Sequence, residues 1–221
     1  MIQKSTLDFL TKLKKNNNKD WFDKNKEKYL VVKQNIEEFT DELIASVSKF
    51  DKSIAGLTHK DCVFRIYRDI RFSKNKTPYK TNMGASINAG GKKGMTGGYY
   101  IHIDPSGSFL AGGLWRPPSE QLKKIRQEID YNGNQLHKIL ANKDFKKHFG
   151  TFDDSEEYKL ARPPKGYDKD HPDIELLKFN SYVVLHEYNN KVVLSKNFVN
   201  EISTGAKIMK PLLDFLNEAI S

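Results

Sequence analysis

One cysteine, Cys62, is all that 221 residues contain. A single thiol excludes an internal disulfide and a cysteine-clustered zinc site, and it leads to the expectation of a reducing, cytoplasmic compartment. Long apolar runs are also missing. No stretch approaches the roughly 18 consecutive apolar residues that a membrane-spanning helix needs. The first residues, Met1-Ile2-Gln3-Lys4-Ser5, run straight into an amphipathic pattern without the apolar core of a secretory signal. A soluble protein without a membrane role is expected. Internal repeats and low-complexity linkers are absent too, so nothing divides the chain, and one domain over residues 1–221 is the expectation.

What is present suffices for a core. Hydrophobic residues make up 38% and charged residues 29%, which lies outside the disordered range. The formal net charge is +9, and residues 61–100 hold 8 Lys/Arg against 2 acids, so two thirds of the excess falls in under a fifth of the chain. A surplus concentrated this way points to a defined anionic partner more than to a generally basic surface. The lysines of the first 60 residues are read as ordinary solvated surface.

Periodicity sets the order of elements. Ser5-Thr6-Leu7-Asp8 reads as a helix start with a hydroxyl cap and an apolar stripe of Leu7, Leu10 and Leu13, broken at Asn16-Asn17-Asn18. Asp20 would cap a second, long helix carrying Phe22, Tyr29, Val32, Ile36, Phe39, Leu43 and Val47 on one face and ending near Ser48–Asp51. The period then changes to that of strands: 63–67, 83–87, 99–104 and 109–115, with Pro105-Ser106-Gly107 turning the last two into a hairpin. A helix after Pro117-Pro118 carries Leu122, Ile125 and Ile129, and shorter helices are expected around 134–140 and 144–148. Residues 150–172 read as an irregular excursion, 181–188 as a strand of the same sheet, and a last helix carries Phe198, Ile202, Met209, Leu212, Leu213 and Leu216. No helix is placed to make parallel crossovers. The fold class is therefore α+β, with a mainly antiparallel sheet of about five strands packed by the long N-terminal helix, the middle helix and the C-terminal helix.

The densest polar constellation is FRIYRDIRFSKNKTPYK, residues 64–80. Arginine brings a planar fork suited to phosphate or carboxylate, and lysine brings a mobile point charge. On a strand Arg65 and Tyr67 share one face while Phe64, Ile66 and Arg68 share the other, so Arg68 needs a partner, with Asp69 the nearest acid. The candidate ligand-binding residues are Arg65, Tyr67, Arg68, Arg71, Lys76, Tyr79 and Lys80. They form either a preorganised site for a small anionic or phosphorylated ligand or a network that pins an irregular loop. The alternatives are a nucleic-acid-binding module using the same cations, with Tyr67, Phe72 and Tyr79 available for stacking, and an interaction domain that docks an acidic protein partner.

The run FRIYRDIRFSKNKTPYKTNMGASI resembles the signature of a widespread microbial family of conserved proteins, a domain of unknown function. LKKNNNKDWFDKNKEKY at 13–29, the GGLWRPP turn within 98–129 and Arg162-Pro163-Pro164-Lys165-Gly166-Tyr167 fit the same pattern, so the resemblance covers essentially the whole chain. It matches at Arg65, Arg68, Asp69, Arg71, Phe72, Lys76, Pro78, Tyr79 and Lys80, and it implies no catalytic role for any of them.

Enzymatic status is left open, because no nucleophile–base pair is evident. Asp69 and His102 are the candidate acid–base groups. Pairing of Asp69 with an arginine would make it a poor proton donor. His102, Asp104 and His186 would make a two-His, one-carboxylate metal site only if their strands converge; histidines bonded within or beside the sheet are the expected alternative. No metal and no cofactor is called for by any motif, and Gly90–Gly98 lacks the phosphate-loop order. Cys62 is expected to be buried and inert, and Trp115 to cap the core. Sequence fixes neither the ligand nor the oligomeric state.

Overall fold

The structure, a computed structural model, describes residues 1–221. The chain is α+β, as its sequence predicts. Four strands, β1 (Met83–Ile87), β2 (Gly98–Ile103), β3 (Ser108–Leu114) and β4 (Tyr182–Tyr188), form one open antiparallel sheet in the order β1-β2-β3-β4. The helices are α1 (Lys4–Lys15), α2 (Lys19–Lys24), α3 (Lys26–Val47), α4 (His59–Cys62), α5 (Ser119–Ala141), α6 (Lys143–Phe149), α7 (Ile174–Leu177), α8 (Asn190–Val193) and α9 (Phe198–Ile220). No helix is long and apolar enough to cross a membrane.

The expected fifth strand, at 63–67, is reduced to two isolated bridges, Val63↔Ala85 and Tyr67↔Tyr79. Four positions separate Val63 from Tyr67 while six separate Tyr79 from Ala85, so the two bridges lie in different registers. The surplus residues on the longer arm break the ladder, as a bulge does. Alternation survives only over 65–67, where Ile66 is fully buried while Arg65 and Tyr67 are exposed; Phe64, expected on the face of Ile66, is half-buried and lies against Tyr100 instead.

Helix starts also differ from expectation. Helix α1 begins one residue earlier, after the extended Gln3, so Ser5 lies inside the first turn and its hydroxyl donates to Gln3 Oε1 at 3.3 Å instead of capping. The long second helix is two helices. Asn18, not Asp20, caps α2 by accepting the Trp21 N–H at 2.9 Å, and the chain leaves helical geometry at Asn25 before α3 starts. Phe22 therefore sits on α2, apart from the Tyr29, Val32, Ile36, Phe39, Leu43 and Val47 stripe that α3 buries. Helix α5 absorbs the expected 134–140 piece across a kink at Asn132 (φ −124°). The 150–172 excursion is irregular, as expected.

The chain divides into two compact units. The first comprises Met1–Gly94, Tyr100–Leu110 and Glu187–Thr204. Its core joins the α1 and α3 stripes to Phe198, which stacks on Phe39 with centroids 5.4 Å apart. The second comprises Met95–Tyr99, Ala111–His186 and Gly205–Ser221. There Ile125, Ile129, Leu136, Phe145, Phe152 and Tyr182 are buried, and Arg126 ties α5 to the end of α7 and the chain just after it by donating to the Leu177 and Phe179 carbonyls at 2.9 and 3.1 Å.

Trp115, expected to cap the core, is 63% exposed. Its indole N–H donates to the Tyr158 hydroxyl at 3.1 Å, and the Arg116 guanidinium lies 5.2 Å from its ring. Arg116 takes a left-handed conformation (φ 45°) as the strand turns toward α5.

Candidate functional site

The 63–80 segment belongs wholly to the first unit. Its backbone is held at three points: Phe64 N–H donates to Gly84 O at 2.9 Å, Lys80 N–H to Ile66 O at 2.7 Å, and Arg68 N–H to Pro78 O at 2.9 Å. Between 68 and 78 the chain forms an irregular loop. Beneath it lies an aromatic floor. Tyr79 is buried and stacks on Phe22 with centroids 3.9 Å apart, and Tyr67 and Tyr29 lie against the same ring at 6.0 and 5.0 Å. Burial raises the pKa of the Tyr79 hydroxyl and pushes that of Tyr29 up to about 12, helped by Tyr67 and Glu37, so both phenols stay protonated at neutral pH.

The structure divides the candidate cations. Arg68 does not pair with Asp69; its guanidinium donates to the Thr77 carbonyl at 3.1 Å, to the Thr77 hydroxyl and to the Ser73 hydroxyl at 3.4 Å, closing the loop on itself. Arg71 takes Asp69 instead, with Nε to Oδ1 at 3.0 Å and an NH2 to Oδ2 at 2.6 Å. That fork holds the Asp69 carboxyl below the usual range and raises Arg71, which makes Asp69 a poor proton donor. Lys76 donates to the Ile70 carbonyl at 3.0 Å. These three cations are engaged by the loop, and Tyr79 belongs to the floor.

Arg65 and Lys80 behave differently. Neither side chain enters a hydrogen bond or an ion pair. Lys80 Nζ stands 5.1 Å from the Phe64 ring centroid. Burial lowers the Lys80 pKa, and the Arg65 charge lowers it further. Arg65 also pulls Asp69 down, yet both Asp69 oxygens are already spent on Arg71. Half-exposed Tyr67 completes the group of candidates not consumed by the loop.

His102 lies elsewhere in the same unit. Its Nδ1 is 3.2 Å from the Tyr100 hydroxyl, and its ring stacks on Phe109 at 4.5 Å. Burial pushes the imidazole pKa down against a smaller upward pull from Asp104, so it is neutral at pH 7. Asp104 serves the β2–β3 turn by accepting the Ser106 N–H at 2.7 Å. His186, in the second unit, bonds through Nδ1 to the His148 carbonyl at 2.7 Å and stacks on the His148 ring. No group of three or more His, Cys, Asp or Glu is arranged to hold a metal ion. The Cys62 thiol is buried, and burial pushes its pKa up to about 11, which keeps it out of thiolate chemistry.

A depression of about 460 Å³ between the end of α3 and the start of α4 is lined by Asp41, Ile44, Ser48 and the 56–60 turn, and by none of these candidates. Sequence reasoning missed Asn17, Phe64 and Gly84 as parts of the site. Asn17 was legible only as a helix breaker. Phe64 and Gly84 carry no polar signal, although the strand period of 83–87 already put Gly84 in the sheet.

No curated protein and no solved structure matches the chain. Residues 5–215 match the family model described as Conserved hypothetical protein (DUF2461), and with nearly its whole length inside that match the chain belongs to the DUF2461 family.

Proposed function

We propose that the chain binds a small anionic or phosphorylated ligand through Arg65 and Lys80, with the half-exposed Tyr67 as a further contact and the 68–79 loop holding the frame. One observation carries this reading. Neither of two cations that repel each other has a carboxylate bonded to it, and burial and the Arg65 charge both disfavour the Lys80 ammonium. A buried or half-buried charge lacking a partner is costly, and an incoming anion relieves the cost. Arg68, Arg71 and Lys76 act one step back, since each fixes the loop through its own bonds. A reducing, cytoplasmic setting belongs to the same reading and is supported by the lone buried thiol.

A ligand that binds only the folded state stabilises it by mass action, by about 2.7 kcal/mol at a hundredfold excess over Kd. Thermal unfolding with inorganic phosphate and simple phosphorylated compounds should therefore show a rise in Tm. Arg65→Ala and Lys80→Ala should fold and lose that rise, whereas Lys76→Ala should keep it. Retention of the full response in Arg65→Ala and Lys80→Ala removes the reading.

A second reading, single-stranded nucleic acid along the loop, is favoured by one side chain. Phe72 is 96% exposed at the loop tip, between Arg71 and the exposed Lys74 and Lys76. An exposed ring among cations, with the Arg71 guanidinium 5.9 Å from its centroid, suits a stacked base beside phosphates. Oligonucleotide affinity that falls steeply with salt and is lost in Phe72→Ala supports it; no binding at low salt removes it.

A further inference from the structure

Four rings line one side of the sheet in the unit that holds Arg65 and Lys80. Tyr100 and His102 project from β2, Phe109 from β3, and Phe64 from the chain bridged to β1. Their centroids run Phe64–Tyr100 at 6.4 Å, Tyr100–His102 at 6.0 Å, Tyr100–Phe109 at 5.9 Å and His102–Phe109 at 4.5 Å with planes 6° apart. The strand period explains the row. Tyr99, Ile101 and Ile103 point to the opposite, buried face, while all four rings remain partly exposed. Gly84 makes room for it, because a Cβ there would stand 2.7 Å from the Tyr100 hydroxyl oxygen.

The row has a charged end and a polar middle. Lys80 Nζ lies over Phe64, and the Arg65 charge acts on it. The Tyr100 hydroxyl and His102 Nδ1 are 3.2 Å apart, leaving the second imidazole nitrogen without a partner along the row. A phosphate alone would use the cations and gain nothing from the rings. A flat heteroaromatic ligand with an anionic tail uses both. Stacking on such rings needs only a π-face, and the hydroxyl and the imidazole supply donors and acceptors for a base edge.

We infer that the row is a stacking platform for a nucleobase and that the ligand is a nucleoside phosphate whose phosphate reaches Arg65 and Lys80. This rests on the anion reading above and adds the class of the organic part. It makes Phe64, Tyr100, His102 and Phe109 binding residues, a role that none of them holds through charge.

Calorimetric titration of the full chain with AMP, UMP, adenosine, ribose 5-phosphate and inorganic phosphate tests it. The expected result is that at least one of AMP and UMP binds roughly tenfold to a hundredfold more tightly than ribose 5-phosphate. Tyr100→Leu should erase that advantage while leaving the ribose 5-phosphate affinity unchanged, and Lys80→Ala should weaken both. His102→Leu reports on the same platform from its other end if Tyr100→Leu does not fold. Equal affinity for the nucleotides and ribose 5-phosphate overturns the platform and leaves the anion reading standing. Adenosine binding as tightly as AMP overturns the nucleoside-phosphate assignment through its phosphate half. No heat from any of the five removes both readings together.

Discussion

Asn17 grips Tyr79 by both of its backbone polar groups: its Nδ2 donates to the Tyr79 carbonyl at 2.9 Å, and its Oδ1 accepts the Tyr79 N–H at 3.1 Å. The ladder bonds on this arm use Pro78 and Lys80, whose backbone groups face Arg68 and Ile66. Those of Tyr79 face the other way, so the amide side chain stands in for a missing third strand. The same tyrosine is the buried foot of the loop, stacked on Phe22.

Asn17→Ala should therefore destabilise the fold by about 1–3 kcal/mol, because two backbone groups at a part-buried site lose their partners. Urea unfolding measures it as a lower midpoint at unchanged slope. Asn17→Asp should fall between, since it keeps the acceptor and loses the donor. A midpoint for Asn17→Ala equal to that of the parent would show that water replaces the amide at no cost.

Asp69 makes a prediction in pH. Its carboxyl is held below the usual range by the Arg71 fork. A group whose folded pKa is depressed adds stability above its unfolded pKa, about 3.9 for Asp, and loses it as pH falls through the folded value. Both side chains are exposed, so the loss is small and local. An NMR titration should place the Asp69 carboxyl below the usual aspartate range, and Arg71→Ala should move it back toward that range. An unmoved Asp69 in that variant would assign the depression to Arg65 instead.

The sequence was most legible where one period persisted. The α3 stripe and the alternation of β2 and β4 gave both the elements and their buried faces, because burial of one face is what those periods encode. Boundaries set by single polar side chains were not legible. Asn18 and Asp20 are both good caps, and only backbone geometry shows that Asn18 caps α2 and that Asn25 breaks the helix again. At 63–67 the composition was that of a strand, yet pairing is a property of two segments, and the longer arm opposite shifts register. The loop cations were legible as a cluster but not in their division of labour. Whether an arginine faces a ligand or its own loop depends on which carbonyls the turn presents, and Thr77 and Ile70 present theirs to Arg68 and Lys76.

Two glycines with opposite surroundings should respond oppositely to alanine. At Gly113 the backbone is left-handed (φ 126°), and a Cβ would meet the Tyr182 carbonyl oxygen across the β3–β4 pairing. At Gly107, in the β2–β3 turn, a Cβ meets nothing within 4 Å. Gly113→Ala should cost at least about 2 kcal/mol by adding a clash to backbone strain, and Gly107→Ala should stay within about 0.5 kcal/mol. Equal unfolding midpoints for the two variants would mean that β3 and β4 separate at Gly113 without penalty.

Lys80 supplies a chemical readout that needs no known ligand. Amine-directed acylation proceeds through the neutral amine, so a lysine whose pKa is lowered reacts ahead of ordinary surface lysines at the same pH. Burial and the Arg65 charge both lower Lys80. Limiting acetic anhydride near pH 8, followed by peptide mass spectrometry, should find Lys80 modified in excess of exposed Lys74. Arg65→Ala should reduce that excess by removing the repelling charge. A bound anion favours the ammonium form and shields the amine, so phosphate should protect Lys80 and leave Lys74 untouched. Indifference of Lys80 to both the Arg65 substitution and phosphate would show that the two cations do not share one anion.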